Sequence, residues 1–296
     1  MLIQRLKQSK SFPIIVLIFL SIIWGSSFIL IKKGLLAFSP LQIGTLRVIF
    51  ASSVLLPTAL KSVRENFKAH WLKLLILGLI SNLFPAILFA SAEKEISSSL
   101  AGMLNALTPV MTIIVGVLFY KSKINMPIAI GLVLGFAGSF VLSFVNGTGE
   151  LGSFNFYALF VILATILYGI AGNMIKEYVK IFDPVVLVAL ATFLTVPISI
   201  VILFSTDFTT RVVSHPDSLF SLISIFLLGA VGTAFALTIF NKLIKTTSAV
   251  FASSATYLIP IVAIGWGILD GEALFPLHFA GMGIIIIGII ILNKYK

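Results

Sequence analysis

The sequence predicts an all-α membrane protein of ten transmembrane helices, built as two inverted repeats of five. Three observations carry this. Of 296 residues, 59% are hydrophobic and only 10% charged, with a mean hydropathy of +1.17; a soluble domain carries about a quarter charged residues to cover its surface. Apolar stretches of about 20 residues, enough to cross the hydrocarbon core as a helix, recur ten times. The chain also matches itself at an offset near 150 residues.

The spans fall near 13–31, 41–60, 72–91, 97–119, 126–145, 154–175, 184–204, 218–240, 247–269 and 275–292. Arg5, Lys7 and Lys10 precede an apolar run, but no small-residue cleavage site follows, so the first segment reads as an uncleaved span. Basic residues test the count. With the N-terminus inside, Arg5, Lys7, Lys10, Lys61, Arg64, Lys68, Lys73, Lys121, Lys123, Lys176, Lys180, Lys242, Lys245, Lys294 and Lys296 are cytoplasmic. Only Lys32, Lys33, Lys94 and Arg211 fall in outer loops. This asymmetry fits ten spans in a cell inner membrane, with both termini cytoplasmic. It also accounts for the net charge of +10 without a nucleic-acid partner, since the basic residues form no continuous patch.

At an offset of 144, Trp24-Gly25 falls on Tyr168-Gly169 and Pro40 on Pro184. At 151, Gly78 falls on Gly229, Asn82 on Thr233 and Pro109 on Pro260. At 150, Gly131 and Gly138 fall on Gly281 and Gly288. The units are residues 1–148 and 149–296. Five is odd, so the second unit enters the membrane upside down. Such repeats place a site near the midplane, between them.

Residues 97–120 show what that site needs. Ser98, Gly102, Asn105, Pro109, Thr112 and Gly116 share one helical face, small or polar on an otherwise oily helix. The stripe returns at Ala249, Ser253, Thr256, Pro260, Ala263 and Gly267. Such a face avoids lipid and turns toward helices or water. Each mid-span proline frees the carbonyl four residues earlier, on Asn105 or Thr256. That carbonyl needs a partner, either a ligand or a nearby hydroxyl. Pro109 and Pro260 are therefore candidate hinges in a cavity wall.

The expected substrate contacts are Trp24, Ser27, Asn82, Asn105, Tyr168, Asn173, Thr233 and Thr256. Trp24 lies too deep for an interfacial belt. Asn82 would either bind a ligand or join helices. Arg47 is a lone charge inside a span; it either serves structure, bonding helix-end carbonyls or Glu93, or attracts an anionic substrate group. Glu93 and Glu95 fall in a short loop and read as solvated. Gly131, Gly135, Gly138, Gly281, Gly283 and Gly288 read as helix contacts, either between the repeats or at a homodimer face through spans five and ten.

The stretch WGSSFILIKKGLLAFSPLQIGTLR resembles the opening spans of the ten-span, EamA-type members of the drug/metabolite transporter superfamily. The Arg seven residues after a loop Pro, the mid-span Pro109 and Pro260, and Gly271-Glu272 before a glycine-bearing last span also match. Here the first repeat has Tyr120-Lys121 where the second has Gly271-Glu272. The resemblance implies a permease or exporter of a small metabolite, such as an amino acid, working by alternating access without a cofactor. Small four-span relatives carry a membrane-embedded Glu in the first span; this chain has none there, so proton antiport by that route is not expected. A channel-like pore is the alternative. An intramembrane enzyme or a scaffold fits less well: His70, His215 and His278 are far apart, and neither paired acids nor a metal motif falls within a span.

Overall fold

The computed structural model describes residues 12–120, 126–145, 148–247, 252 and 254–294. Ala249 and Ser253 of the second stripe lie outside the described residues, as do Arg5, Lys7, Lys10, Lys121, Lys123 and Lys296 of the charge count. Among the described residues the chain is helical, apart from loops and a lone bridge between Val145 and Leu151.

The first repeat comprises α1 (Phe12–Gly34), α2 (Pro40–Gly78), a π-helical segment (Leu79–Leu83), α3 (Phe84–Ala92), α4 (Ser98–Asn105), α5 (Thr108–Tyr120) and α6 (Met126–Phe144). The second comprises α7 (Ala158–Tyr178), α8 (Pro184–Phe204), the short α9 (Phe208–Ser214), α10 (Ser218–Leu227), a π-helical segment (Leu228–Phe235), α11 (Ala236–Thr246), a 3-10 turn (Ser254–Tyr257), α12 (Ile259–Leu269) and α13 (Pro276–Lys294). Seven segments are long and apolar enough to cross a membrane, and Ala129–Phe144, Ile259–Leu269 and Pro276–Gly288 are shorter apolar helices. Together they form the ten expected spans.

Local sequence explains where helices begin. Ser39 and Gln42 form a reciprocal capping box before Pro40, and the Asp183 carboxylate accepts from the Val185 amide before Pro184. One boundary differs from expectation. Helical hydrogen bonding continues from Pro40 to Gly78, without the break expected at 61–70. Yet Gly44 packs against Ile87. Over the 43 residues between them a straight helix would rise on the order of 65 Å, so the chain turns back between spans two and three, Pro40–Val63 and His70–Ala92.

Close contacts relate the two halves reciprocally. A Cβ on Gly78 would strike the carbonyl of Ala191, and one on Gly229 the carbonyl of Arg47. Ala191 is the repeat counterpart of Arg47, so span three meets span seven as span eight meets span two. Gly25 abuts Val262 as Gly169 abuts Met111. Gly138 lies against the Gly281 carbonyl as Gly288 lies against that of Gly131. Each contact crosses from one repeat to the other. Glycine permits this approach because backbone meets backbone with no side chain between. Gly131, Gly138, Gly281 and Gly288 of spans five and ten thus face one another within the chain, whereas Gly135 lies against Val110 and Gly283 has open space at its Cβ and does not make the expected helix contact. Val133, Phe136, Phe140, Ile287 and Ile290 turn outward.

Span four is the centre. The segment Ser98–Phe119 is 78% buried, against at most half for the other six long segments. Its stripe meets the second repeat, with Gly102 against Ala263, and the neighbouring Ser99 lies against Gly267.

Gly78→Ala forces the Ala191 backbone away, which cannot be relieved by a rotamer change, and overpacking of this kind costs about 1–3 kcal/mol. Thermal unfolding in detergent should show a lowered midpoint for Gly78→Ala and for Gly229→Ala. Gly265→Ala, with open space at its Cβ, should leave the midpoint unchanged.

Candidate functional site

Spans four and nine are discontinuous. Span four stops at Asn105 and restarts at Thr108, so Pro109 lies in the first turn of α5 and not at a kink inside one helix. Span nine passes through the 3-10 turn before Pro260 opens α12. Proline suits this position because the first turn needs no donor from it. The Asn105 carbonyl accepts from the Thr108 hydroxyl at 2.8 Å, so the free acceptor expected for a ligand is already engaged. Neighbouring spans support both breaks. The Asn173 amide donates to the Thr112 carbonyl at 3.0 Å, and the Ser21 hydroxyl to that of Ala255 at 2.7 Å. Irregular backbone at this depth survives only where protein or a cavity covers it.

Between the broken spans lies a cavity of about 980 Å³, its mouth included. Of the expected contacts, Trp24, Ser27, Asn82, Asn105, Tyr168 and Thr256 line it, with Arg47. Asn173 and Thr233 lie outside the wall, as do Pro109 and Pro260. Asn173 joins spans six and four. The Thr233 hydroxyl donates to the Leu228 carbonyl and accepts from Arg47 Nε at 2.8 Å, standing behind the arginine.

The two π-helical segments occupy equivalent positions in the repeats, around Asn82 and Thr233. Their extra residue per turn went unread in the sequence. Pro85 follows the first, but its counterpart is Ala236, so proline is not their common cause. Trp24 Nε1 donates to the Gly232 carbonyl in the second segment at 3.0 Å, which fixes the indole in the wall.

Rings supply much of the remaining wall. Tyr168 stacks on Phe89 with centroids 6.0 Å apart, Phe28 meets Phe89 edge-on, and Phe240 meets Trp24 edge-on. Phe28, Phe89 and Phe240 were not singled out in the sequence; among 26 phenylalanines no local signal separates cavity rings from lipid-facing ones. Arg47 faces the cavity and bonds a hydroxyl, not a helix-end carbonyl. Among the described residues no carboxylate lies within ion-pair distance of it. None has three His, Asp or Glu side chains clustered to hold a metal ion.

At one end the cavity stops at Ile31 and Phe89, beneath a polar lid. Glu272 Oε1 accepts from the amide and hydroxyl of Ser98, and Oε2 from those of Ser99, at 2.6–3.0 Å. These amides open α4, so a carboxylate from the second repeat caps a first-repeat helix where its dipole favours an anion. Lys32 bridges Asp270 at 2.7 Å and Glu272 at 2.9 Å, and Lys33 also pairs with Asp270. Gly271, at φ +77, lets the chain turn back here. Glu272 N bonds Gly267 O and Gly271 N bonds Ile268 O, a Schellman end to α12. Burial raises the Glu272 carboxyl, but the donors from Ser99, Lys32 and Ser98 outweigh it and hold it down to about 2. At the other end the wall continues to Ile175, Phe240 and Ile244, beside Lys176 and Lys245.

Glu93 departs from expectation. It is not solvated but 7% exposed, and neither carboxyl oxygen has a hydrogen-bond partner, whereas Glu95 is exposed. Its burial arises from the tertiary fold, which no local pattern reveals.

The chain lacks cysteine, so Ile31→Cys gives a single thiol beneath the lid. Adding Glu272→Gln removes the charge-assisted bonds across the repeats. Modification by an impermeant maleimide from the lid side should then accelerate roughly tenfold, equivalent to about 1.4 kcal/mol of lost closure. An unchanged rate would mean the carboxylate does not hold this end shut.

Comparison with known proteins agrees with this architecture. The model of the EamA-like transporter family matches twice, over residues 11–144 and 155–294. An uncharacterized inner membrane transporter of Escherichia coli (strain K12), YedA, is 24% identical over 285 residues, covering 93% of this chain and 89% of its own. An uncharacterized transporter of Archaeoglobus fulgidus is 26% identical over 283 residues, covering 92% and 95%. A solved crystal structure shares the fold with a TM-score of 0.64 at 15% identity, covering 97% of this chain and 98% of its own. The family match lies on both halves of the helical bundle and spans the cavity and its lid: the chain belongs to the EamA-like transporter family.

Proposed function

We propose that this protein is an inner-membrane secondary transporter that moves a small metabolite by alternating access through the inter-repeat cavity. The observation that carries this reading is a cavity walled by paired positions of both repeats and sealed at one end by contacts between those repeats. By the positive-inside rule the lid faces outward and the cavity reaches toward the cytoplasm. Reciprocal glycine contacts let the repeats rock as bodies, and the breaks at 106–107 and 258 offer hinges beside Pro109 and Pro260.

The wall favours a solute with an apolar or planar body and a few polar groups. Trp24, Phe28, Phe89 and Tyr168 offer ring faces; Ser27, Asn82, Asn105 and Thr256 offer hydrogen bonds. Arg47 supplies positive charge without an acid to neutralise it, and the wall has no carboxylate. A carboxylate-bearing or zwitterionic metabolite such as an amino acid fits this set better than a bare cation. A constitutive pore fits less well, because the lid closes the path at Ile31 and Phe89.

Reconstituted protein should therefore show saturable, solute-selective flux. Asn105→Leu combined with Thr256→Val should reduce it by about tenfold or more, since a site built for hydrogen bonds discriminates strongly when they are lost. Arg47→Gln should weaken binding of anionic and zwitterionic solutes more than neutral ones. Unsaturable flux would favour a pore, and full activity in the double variant would remove the cavity from the transport path. A thermal-shift screen of amino acids and related metabolites identifies the solute, because a ligand of the folded state raises its midpoint.

A further inference from the structure

Glu93 ends α3, one helical turn beyond Phe89 and two beyond that from Asn82, on the face that lines the cavity. It therefore lies between the cavity and the lid. Its side chain is buried and both carboxyl oxygens lack a donor. Asp270 and Glu272, by contrast, are held by lysines and serines.

The ionisable groups that face Glu93 come from four other elements. Lys32 on α1 is engaged by Asp270 and Glu272, with Lys33 beside it. Arg47 on α2 is held by Thr233, and Tyr168 on α7 lies near Arg47. Glu272 contributes negative charge from the lid. Lys94 and Glu95 follow it in the chain and are exposed. Lys61, Lys73, Lys176 and Glu177, on the same packed helices, belong to the opposite ends of their spans. Glu93 also sits at the carbonyl end of its own helix, where an anion is disfavoured. Burial, above all, and the Glu272 charge push its carboxyl well above the usual carboxylate range; Lys32 and Arg47 oppose this without prevailing. A carboxylate buried without donors avoids its desolvation cost by taking a proton.

We propose that Glu93 is a proton-binding site linked to closure of the lid. When the lid closes, the carboxylate is stripped of water and takes one proton from solution to become the neutral acid. When the lid opens, water returns, the carboxyl falls toward the ordinary carboxylate range, and the proton leaves. This rests on the alternating-access reading. The sign follows from linkage. The closed state binds one more proton than the open state between the two pKa values, so closure strengthens as pH falls, by up to about tenfold per unit. Glu272 stays ionised across this range, since its carboxyl is held at about 2, so the lid carboxylate does not itself supply the dependence, and the Glu93→Gln comparison separates Glu93 from the histidines.

The test uses spin labels on Leu36→Cys and Ala273→Cys, both exposed sites at the lid end of a chain without native cysteine. Distances are recorded in reconstituted protein from pH 5 to 9. The parent should shift from a short to a longer distance as pH rises. Glu93→Gln, a neutral isostere, should stay closed at every pH, and Glu93→Asp should restore a pH response. Infrared spectroscopy supplies an independent reading: a protonated-carboxyl stretch at neutral pH, lost in Glu93→Gln. A moving distance with the same pH response in Glu93→Gln overturns the proton site and leaves alternating access standing. Absence of the infrared band overturns the proton site whatever the lid does. A distance that never changes, even at pH 9 with Glu272→Gln, overturns alternating access at this end and the proposal with it.

Discussion

The Glu272 carboxylate is the contact on which this arrangement depends. It is carried by the second repeat and satisfies four donors at the start of a first-repeat helix, with Lys32 as a fifth. A helix entering a membrane leaves its first amides unpaired, and lipid cannot satisfy them. Span four, the most buried of the long segments, thus has its N-terminal end completed by the other half of the molecule. Removing that carboxylate would break this tie between the repeats and expose its orphan donors together. The lid and the fold share one interaction.

The same economy runs through the cavity. Breaking spans four and nine would be costly in hydrocarbon, yet Thr108, Asn173 and Ser21 hold the released backbone. The polar stripe that looked like a binding surface is divided between these tasks. Asn105 and Thr112 reach the cavity, Gly102 lets α4 approach α12, and Ser98, with Ser99 beside the stripe, holds Glu272. The repeats are symmetric in backbone and asymmetric in charge. Arg47 is answered by Ala191, and Glu272 by Lys121. These substitutions make the two ends of the duplicated bundle chemically different, so that one carries the ionic cluster around Glu272.

What could be read in advance followed from periodicity and hydropathy. Ten spans, their approximate limits and the glycine and proline correspondences all arise from patterns local to one helix or repeated at a fixed offset. Even residues 184–204 were delimited as observed. The depth of Trp24 and Tyr168 was legible for the same reason. What was not legible depends on partners distant in sequence. Thr233 and Asn173 carry the right side chains, but their hydrogen bonds fall behind the wall. Glu93 sits in a short stretch of ordinary polarity, and its burial comes from tertiary packing that no local pattern encodes. The π-helical segments lack a distinguishing residue pattern. Of the two partners expected for the carbonyl near Pro109, a ligand or a nearby hydroxyl, the Thr108 hydroxyl engages it.

Central to the account is that the lid must open for a solute to cross. A short, cleavable thiol crosslinker between Leu36→Cys and Ala273→Cys, in an otherwise cysteine-free chain, tests this directly. The account predicts that flux in liposomes stops on crosslinking and returns when the linker is cleaved. Undiminished flux through the crosslinked protein would contradict it.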